Sequence, residues 1–278
     1  MESIHKAEWN NYSYEIIYVD NGSTDNSVNA VRMAYSDTKL IVNDRNLGYC
    51  KAANQGVEIS SGTYYMFLND DTVVLDNAIP LLVDFVKCHP DAGVVGSRLL
   101  YPDGTEQWSG RMFPSPLNGV LGRNSWLTKK FPNSSVVKRY LCKEGVFGSA
   151  DAFPVDWVSA AAMLVCKADY DLVGGLAEDY YYWHEAVFSH RLLKRGKKTY
   201  LHPKSKIIHY EGMGSGPRPF ARKKFHILDF HKGALRFFVE QHDLGLLSPI
   251  KAAVAIALYS RASMLLMGAW LTSPRGNQ

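Results

Sequence analysis

An apolar, aromatic-rich run, Tyr64-Tyr65-Met66-Phe67-Leu68, stops abruptly at Asn69-Asp70-Asp71. Apolar on both faces, it predicts a strand inside a sheet covered by helices, and in such sheets ligands sit beyond the carboxyl ends of the strands. Asp70 and Asp71 fall at that end. Adjacent carboxylates repel and are costly to hold near an apolar core, so one reading is a bound divalent cation. The other is a solvated turn in which Asp70-Asp71-Thr72 starts a helix before Asn77-Ala78-Ile79-Pro80. Upstream, residues before Asn10 read as a helix end. Tyr14-Glu15-Ile16-Ile17-Tyr18-Val19 is a β run stopped by Asp20-Asn21-Gly22-Ser23, where Gly22 permits a positive φ and Ser23 or Thr24 can cap a helix carrying Val28 and Val31. Lys39-Leu40-Ile41-Val42 is the second strand in chain order, leading through Asn46-Leu47-Gly48 to a helix over Ala52, Ala53 and Val57. Strands alternating with helices at this spacing predict an α/β layered domain with a largely parallel sheet.

Between Ser97 and Asp156 turn formers dominate, as in Tyr101-Pro102-Asp103-Gly104 and Met112-Phe113-Pro114-Ser115-Pro116, and loops with short strands are expected. Such an insertion beside a site is either an acceptor-binding lid or a variable surface loop. Phe188, Leu192 and Leu193 recur at helical spacing before Gly196, which can end the helix. After Gly216 the pattern changes, dividing the chain into 1–216 and a helical segment 217–278. Residues 225–238 alternate basic and aromatic side chains, and 250–271 are almost wholly apolar apart from Lys251, Ser260, Arg261 and Ser263. Length alone permits a membrane span, but Arg261 near its middle is costly there. An interfacial helix anchored by the basic stretch and Trp270 is the preferred reading, with a core-packed helix as the alternative.

Composition changes this picture little. With 278 residues, an apolar fraction of 46% and a charged fraction of 21%, the chain is globular, and a formal net charge of +4 gives no ground for a nucleic-acid partner. Positive charge is concentrated late, in Lys194-Arg195-Gly196-Lys197-Lys198, at Lys204 and Lys206, and from Arg218 to Lys224. Those clusters suit a phosphate-bearing substrate, an anionic membrane surface or a solvated basic face. Cys50, Cys88, Cys142 and Cys166 lack zinc-site or redox spacing, and no signal peptide is visible, so a reducing cytoplasmic location is expected.

Asp20-Asn21-Gly22-Ser23-Thr24-Asp25, Asn46-Leu47-Gly48 with Ala53-Asn54-Gln55-Gly56, and Leu68-Asn69-Asp70-Asp71-Thr72 together resemble family 2 glycosyltransferases, near the rhamnosyltransferase-like branch. Each motif alone is weak; three in order are strong. Later segments, Asp156 to Val165, Val173-Gly174-Gly175-Leu176 and Ile207-Ile208-His209-Tyr210, extend the resemblance to most of the chain up to about Gly216. It implies a GT-A (nucleotide-diphospho-sugar transferase) fold over 1–216, with a mostly parallel central sheet and helices on both faces. It also implies that Asp20 accepts a hydrogen bond from the nucleotide base and that Asn21, Asn46, Gly48, Asn54 and Asn69 complete the donor pocket. Asp70 lies near the sugar and ribose in the catalytic set. Asp71, with His209, holds Mg²⁺ or Mn²⁺ on the diphosphate, a hard cation suited to oxygen ligands.

Two departures from the family pattern stand out. Members carry Glu-Asp-x-Asp at the start of the helix before Gly196, its Asp being the catalytic base; aligned without a gap, that motif is His184-Glu185-Ala186-Val187 here, leaving Glu185 as the acid. A gap would rotate the rest of the helix by about 100°. At the amino end, Met1-Glu2-Ser3-Ile4 resembles the end of the family's first helix, so its opening strand is expected to be missing, with a strand edge left unpaired. The implied function is an inverting transferase moving a sugar from a nucleotide-diphosphate donor to a glycan or lipid-linked acceptor in cell-surface polysaccharide synthesis, peripheral on the inner face of the membrane. Its rivals are a non-catalytic binding or assembly subunit and another nucleotide-binding α/β enzyme such as a nucleotidyltransferase, though the early chain lacks a Gly-rich phosphate loop.

Overall fold

The computed structural model describes residues 1–115, 126–212 and 219–272. In chain order, α1 (Glu2–Lys6) precedes β1 (Ile17–Asp20), α2 (Ser27–Ala34), β2 (Lys39–Val42), α3 (Tyr49–Glu58), β3 (Tyr64–Leu68), β4 (Thr72–Val74) and α4 (Ala78–Cys88). Then come β5 (Ala92–Leu100), β6 (Gly110–Arg111), α5 (Trp126–Lys130), α6 (Ser135–Tyr140), α7 (Lys143–Gly148), β7 (Phe153–Val155), β8 (Trp157–Val158) and β9 (Ala162–Cys166). The chain continues through α8 (Lys167–Leu172), α9 (His184–Leu193), β10 (Lys198–His209), α10 (Phe220–Gln241) and α11 (Pro249–Leu271).

The central sheet has the order β3-β9-β5-β10-β4, with β7 also on β10. β5 and β10 are parallel, and β3 and β5 are each antiparallel to β9. The main strands β3, β5 and β10 therefore point the same way and deliver their carboxyl ends to one edge, while β9, β4 and β7 fill in against them. Both faces are covered. Phe67, Val94, Met163, Val165, Phe188 and Leu201 pack on one side, and Leu82, Phe85, Val95, Leu99, Leu164 and Ile207 on the other. Burying apolar side chains on both faces is what drives this assembly, at about 1.5–3 kcal/mol for each large one.

β1 and β2 form a separate parallel pair, and no ladder joins them to β3 among the described residues. The expected unpaired strand edge is thus present on both β1 and β3. Glu15 bridges the two sheets at their amino ends: its Oε1 accepts from the Ser61 backbone N–H at 2.6 Å, and its Oε2 lies 2.7 Å from Lys39 Nζ. Lys39 first, then the Ser61 donors, hold the Glu15 carboxyl down at about 2.

Several local expectations change. Asp70-Asp71-Thr72 does not start a helix: Thr72 enters β4, and α4 begins after Asn77. Ser23 and Thr24 do not cap α2, whose N-cap position is Asn26; Ser23 belongs to the turn after β1, where its N–H donates to Asp20. The stretch expected as loops with short strands contains α5, α6 and α7; residues 116–125, including Pro116, lie outside the described residues. The boundary expected after Gly216, and Arg218, also fall outside them. The basic run 194–198 is a neutralised face, since Lys194, Lys197 and Lys198 lie within 3.1 Å of Asp243, Asp169 and Asp91 respectively. All four cysteines are free.

Candidate active site

At the end of β1, Asp20 is 2% exposed, and its Oδ2 accepts from the backbone N–H groups of Gly22 (3.2 Å) and Ser23 (3.0 Å). Its Oδ1 is buried without a hydrogen-bond partner in the structure. A buried acceptor left unpaired costs about 1–3 kcal/mol, so a donor supplied by a ligand would recover it. Gly22 is required by the turn: φ is +82°, and a Cβ would meet the Arg45 backbone at 2.7 Å. Asn21 organises the facing loop, donating to Asn46 Oδ1 (3.1 Å) and the Gly48 carbonyl (3.2 Å) and accepting from the Leu47 N–H (2.9 Å). Gly48, at φ +90°, precedes the first residue of α3. Asp20, Asn21, Asn46 and Gly48 thus form one cluster. Asn54 does not offer itself to a ligand: its amide donates to the Leu176 carbonyl and Glu178, and its oxygen accepts from Tyr170 Oη and the Leu176 N–H, which saturates it.

The β3 end approaches this cluster. Burial and then the charges of Asp70 and Asp20 push the Tyr18 hydroxyl above its usual range, so Asp70, itself exposed, shares the field at the end of β1. Asp71 turns the other way. β4 pairs antiparallel with β10, setting Thr72 opposite His209, and Asp71 Oδ1 lies 3.0 Å from His209 Nε2. Gln107, fully buried, donates from Nε2 to the His209 carbonyl at 2.6 Å, so its Oε1, 2.8 Å from Nδ1, must be the acceptor there. The Nδ1 proton is therefore assigned, and whenever the ring is neutral Nε2 presents a lone pair. Nε2 faces Asp71 Oδ1, which is buried without a hydrogen-bond partner. Asn69 Nδ2 approaches the same Nε2 at 3.3 Å. A carboxylate oxygen and an imidazole nitrogen facing each other suit a divalent cation whose other positions are filled by phosphate and water oxygens. Among the described residues no three His, Cys, Asp or Glu side chains converge, so this pair would leave most of a cation's positions to other oxygens.

Glu185 sits in the first turn of α9. Its Oε1 is 3.4 Å from the Ala160 N–H, and its Oε2 lies 3.5 Å from His184 Nε2. Burial, then the Glu185 charge, pushes the Tyr49 hydroxyl well up, so this carboxylate also faces the start of α3. The neighbouring Ala161 carbonyl accepts from the Asn69 N–H at 3.1 Å. One short turn, 159–161, therefore sets Glu185 beside Asn69-Asp70-Asp71. Gln107 is the site residue that sequence reasoning missed. Nothing in Glu106-Gln107-Trp108 marks it, and its role arises only when the β5–β6 connection folds under β10.

Residues 1–143 match the model of glycosyl transferase family 2. The chain is 26% identical over 272 residues to an N-acetylglucosaminyl-diphospho-decaprenol L-rhamnosyltransferase of Mycobacterium tuberculosis, covering 94% of this chain and 86% of that one. An O-antigen biosynthesis protein of Myxococcus xanthus is 26% identical over 204 residues, 71% of this chain and 15% of its own length. Among solved structures, a mannosyltransferase from Pyrobaculum calidifontis in complex with GDP-Man and Mn²⁺ superposes with a TM-score of 0.55 at 15% identity, covering 98% of this chain and 70% of that one. That likeness establishes the GT-A fold.

Proposed function

Because the chain belongs to glycosyl transferase family 2 and is a glycosyltransferase, we propose that it is an inverting enzyme moving a sugar from a nucleotide-diphosphate donor to a glycan or lipid-linked acceptor in cell-surface polysaccharide synthesis. The observation that carries this reading is the facing pair Asp71 Oδ1 and His209 Nε2 at 3.0 Å, with the His209 tautomer set by Gln107. These two side chains would hold Mg²⁺ or Mn²⁺, which would neutralise charge on the departing diphosphate. Asp20 would take a base N–H on its unpaired Oδ1, Asn21 would keep Asn46 and Gly48 against the nucleotide, and Asp70 would meet ribose and sugar hydroxyls. Glu185 would accept the proton of the acceptor hydroxyl as its oxygen bonds to the anomeric carbon. The bond from that carbon to the diphosphate breaks with its electron pair leaving on the nucleoside diphosphate. A lipid-linked acceptor agrees with the name of the Mycobacterium relative and with peripheral contact at the inner face of the membrane.

The test is calorimetric binding of nucleotide-sugars with Mn²⁺ to wild type and to Asp71→Asn. Affinity should fall about tenfold or more, and a chelator should remove the difference; equal affinities would defeat the reading. Glu185→Gln should keep donor binding and lower turnover by about 10²-fold. Donor binding without turnover in wild type, across donors and acceptors, would favour the non-catalytic subunit.

A further inference from the structure

α11 is long and apolar enough to cross a membrane, yet the body hardly covers it: of its residues Ala262 alone is buried. Ile256 is 69% exposed, Met264 62%, Met267 61% and Leu271 68%, and Trp270 is nearly half exposed. At the tip between α10 and α11, Leu246 and Leu247 are 88% and 99% exposed. The mid-helix charge that argues against lipid contact is turned inward. Arg261 Nη1 donates to His231 Nε2 at 2.9 Å, and His231 Nδ1 donates to the Ile227 carbonyl at 2.6 Å, leaving Nε2 as the acceptor. His231 is 1% exposed. The outward stripe of α11 beyond Lys251 therefore carries no charge.

α10 decides how such a helix can meet lipid. It is bound to the globular body, with Phe237 fully buried against Trp157 and Ala186 and with Trp183 Nε1 donating to the Phe230 carbonyl at 3.0 Å. Its outer side exposes Phe225 and Leu228 among Arg222, Lys224 and Lys232, and these three cations have no carboxylate partner among the described residues. Because α11 lies along this charged helix, crossing a bilayer over its length of roughly 35 Å would carry those cations into hydrocarbon, where each is costly. Lying in the interface avoids this: apolar side chains enter the acyl boundary while lysine and arginine meet anionic headgroups.

We infer that the α10–α11 hairpin docks in plane on an anionic lipid surface, with Arg261 held against His231 so that the outer face of α11 inserts uncharged. The inference rests on the lipid-linked acceptor of the proposed function only for its biological purpose. The experiment is flotation of the full chain with phosphatidylcholine vesicles, with and without phosphatidylglycerol, in the absence of sugar donor. The chain should float with the anionic vesicles, and alkaline carbonate should release it. Met264→Glu/Met267→Glu, both outward, should weaken flotation about tenfold or more with an unchanged melting temperature. Arg261→Leu should float as wild type does. Retention through carbonate would show a span and overturn the proposal. So would failure to float, or a stable dimer that the double variant dissociates. Loss of turnover in vesicle-bound protein would sink the transferase reading while leaving the docking intact.

Discussion

The central sheet and the β1–β2 pair both carry residues of the proposed site, but hold them by different physics. In the central sheet Val94, Val95, Met163, Leu164 and Leu201 are 0–1% exposed, and the Asp71–His209 pair is positioned by ladders on a packed core. In the β1–β2 pair Asp20 is the only buried strand residue, Val42 is 47% exposed, and side-chain amides do much of the holding: Asn43 exchanges two hydrogen bonds with Gln55, at 2.9 and 3.0 Å, beside the Asn21 network. The side that holds Asp71 and His209 is thus preorganised by apolar burial. The Asp20 side depends on a few polar contacts and the Glu15 bridge, each worth about 1 kcal/mol.

The largest expected difference is in stability. Leu164→Ala, in the two-sided core, should cost about 3 kcal/mol in urea unfolding, whereas Ile41→Ala in β2 should cost about 1 kcal/mol or less. Equal costs would break the comparison. Hydrogen exchange sharpens it: amides of β1 and β2 should exchange at least about tenfold faster than those of β5 and β9, and a nucleotide-sugar should slow the former more. Uniform protection, or protection gained only in β5 and β9, would contradict a polar-held donor side.

Acid should separate the two regions by pH. Burial lowers the pKa of His190, His202 and His231 below the ordinary 6.5, so each stays neutral when folded and takes up a proton on unfolding. Their stabilising effect is complete above pH 6.5 and is lost as pH falls toward their folded values. Around His231 protonation would also set two cations together, since Arg261 Nη1 lies 2.9 Å from His231 Nε2. Glu15 has the opposite chemistry: its carboxyl is lowered from 4.5 to about 2, so the bridge holds above pH 4.5 and opens as pH falls toward 2. A melt monitored by hydrogen exchange should therefore show the body weakening first on mild acidification. Loosening of β1–β2 near pH 6 ahead of the body would reverse that order.

Strong local signals made much of this fold legible. The runs 39–42 and 64–68 are strands as their composition dictates, and Asp20, Asn21, Asn46 and Gly48 do gather at one place. What stayed hidden depends on distant partners. The helices α5, α6 and α7 run only five or six residues each, too short to nucleate without tertiary packing, so their sequences carry little periodicity. Gln107 looks like any polar turn residue until His209, 102 positions away, closes on it. Asn54 has the right neighbours in sequence, yet the fold spends its amide on the turn around Leu176.

Trp183 has a consequence for how such chains can be recombined. It is a non-glycine residue at φ 72°, it precedes the first residue of α9, and it is held there between Phe230 and Phe237. A left-handed tryptophan costs about 1–2 kcal/mol, so this geometry persists because α10 imposes it. The turn that aims Glu185 is consequently finished by a helix encoded some fifty residues later. A chimera that takes 1–212 from this chain and its carboxyl helices from a relative would inherit the acid without the part that aims it, unless the Trp183 socket travels with the graft.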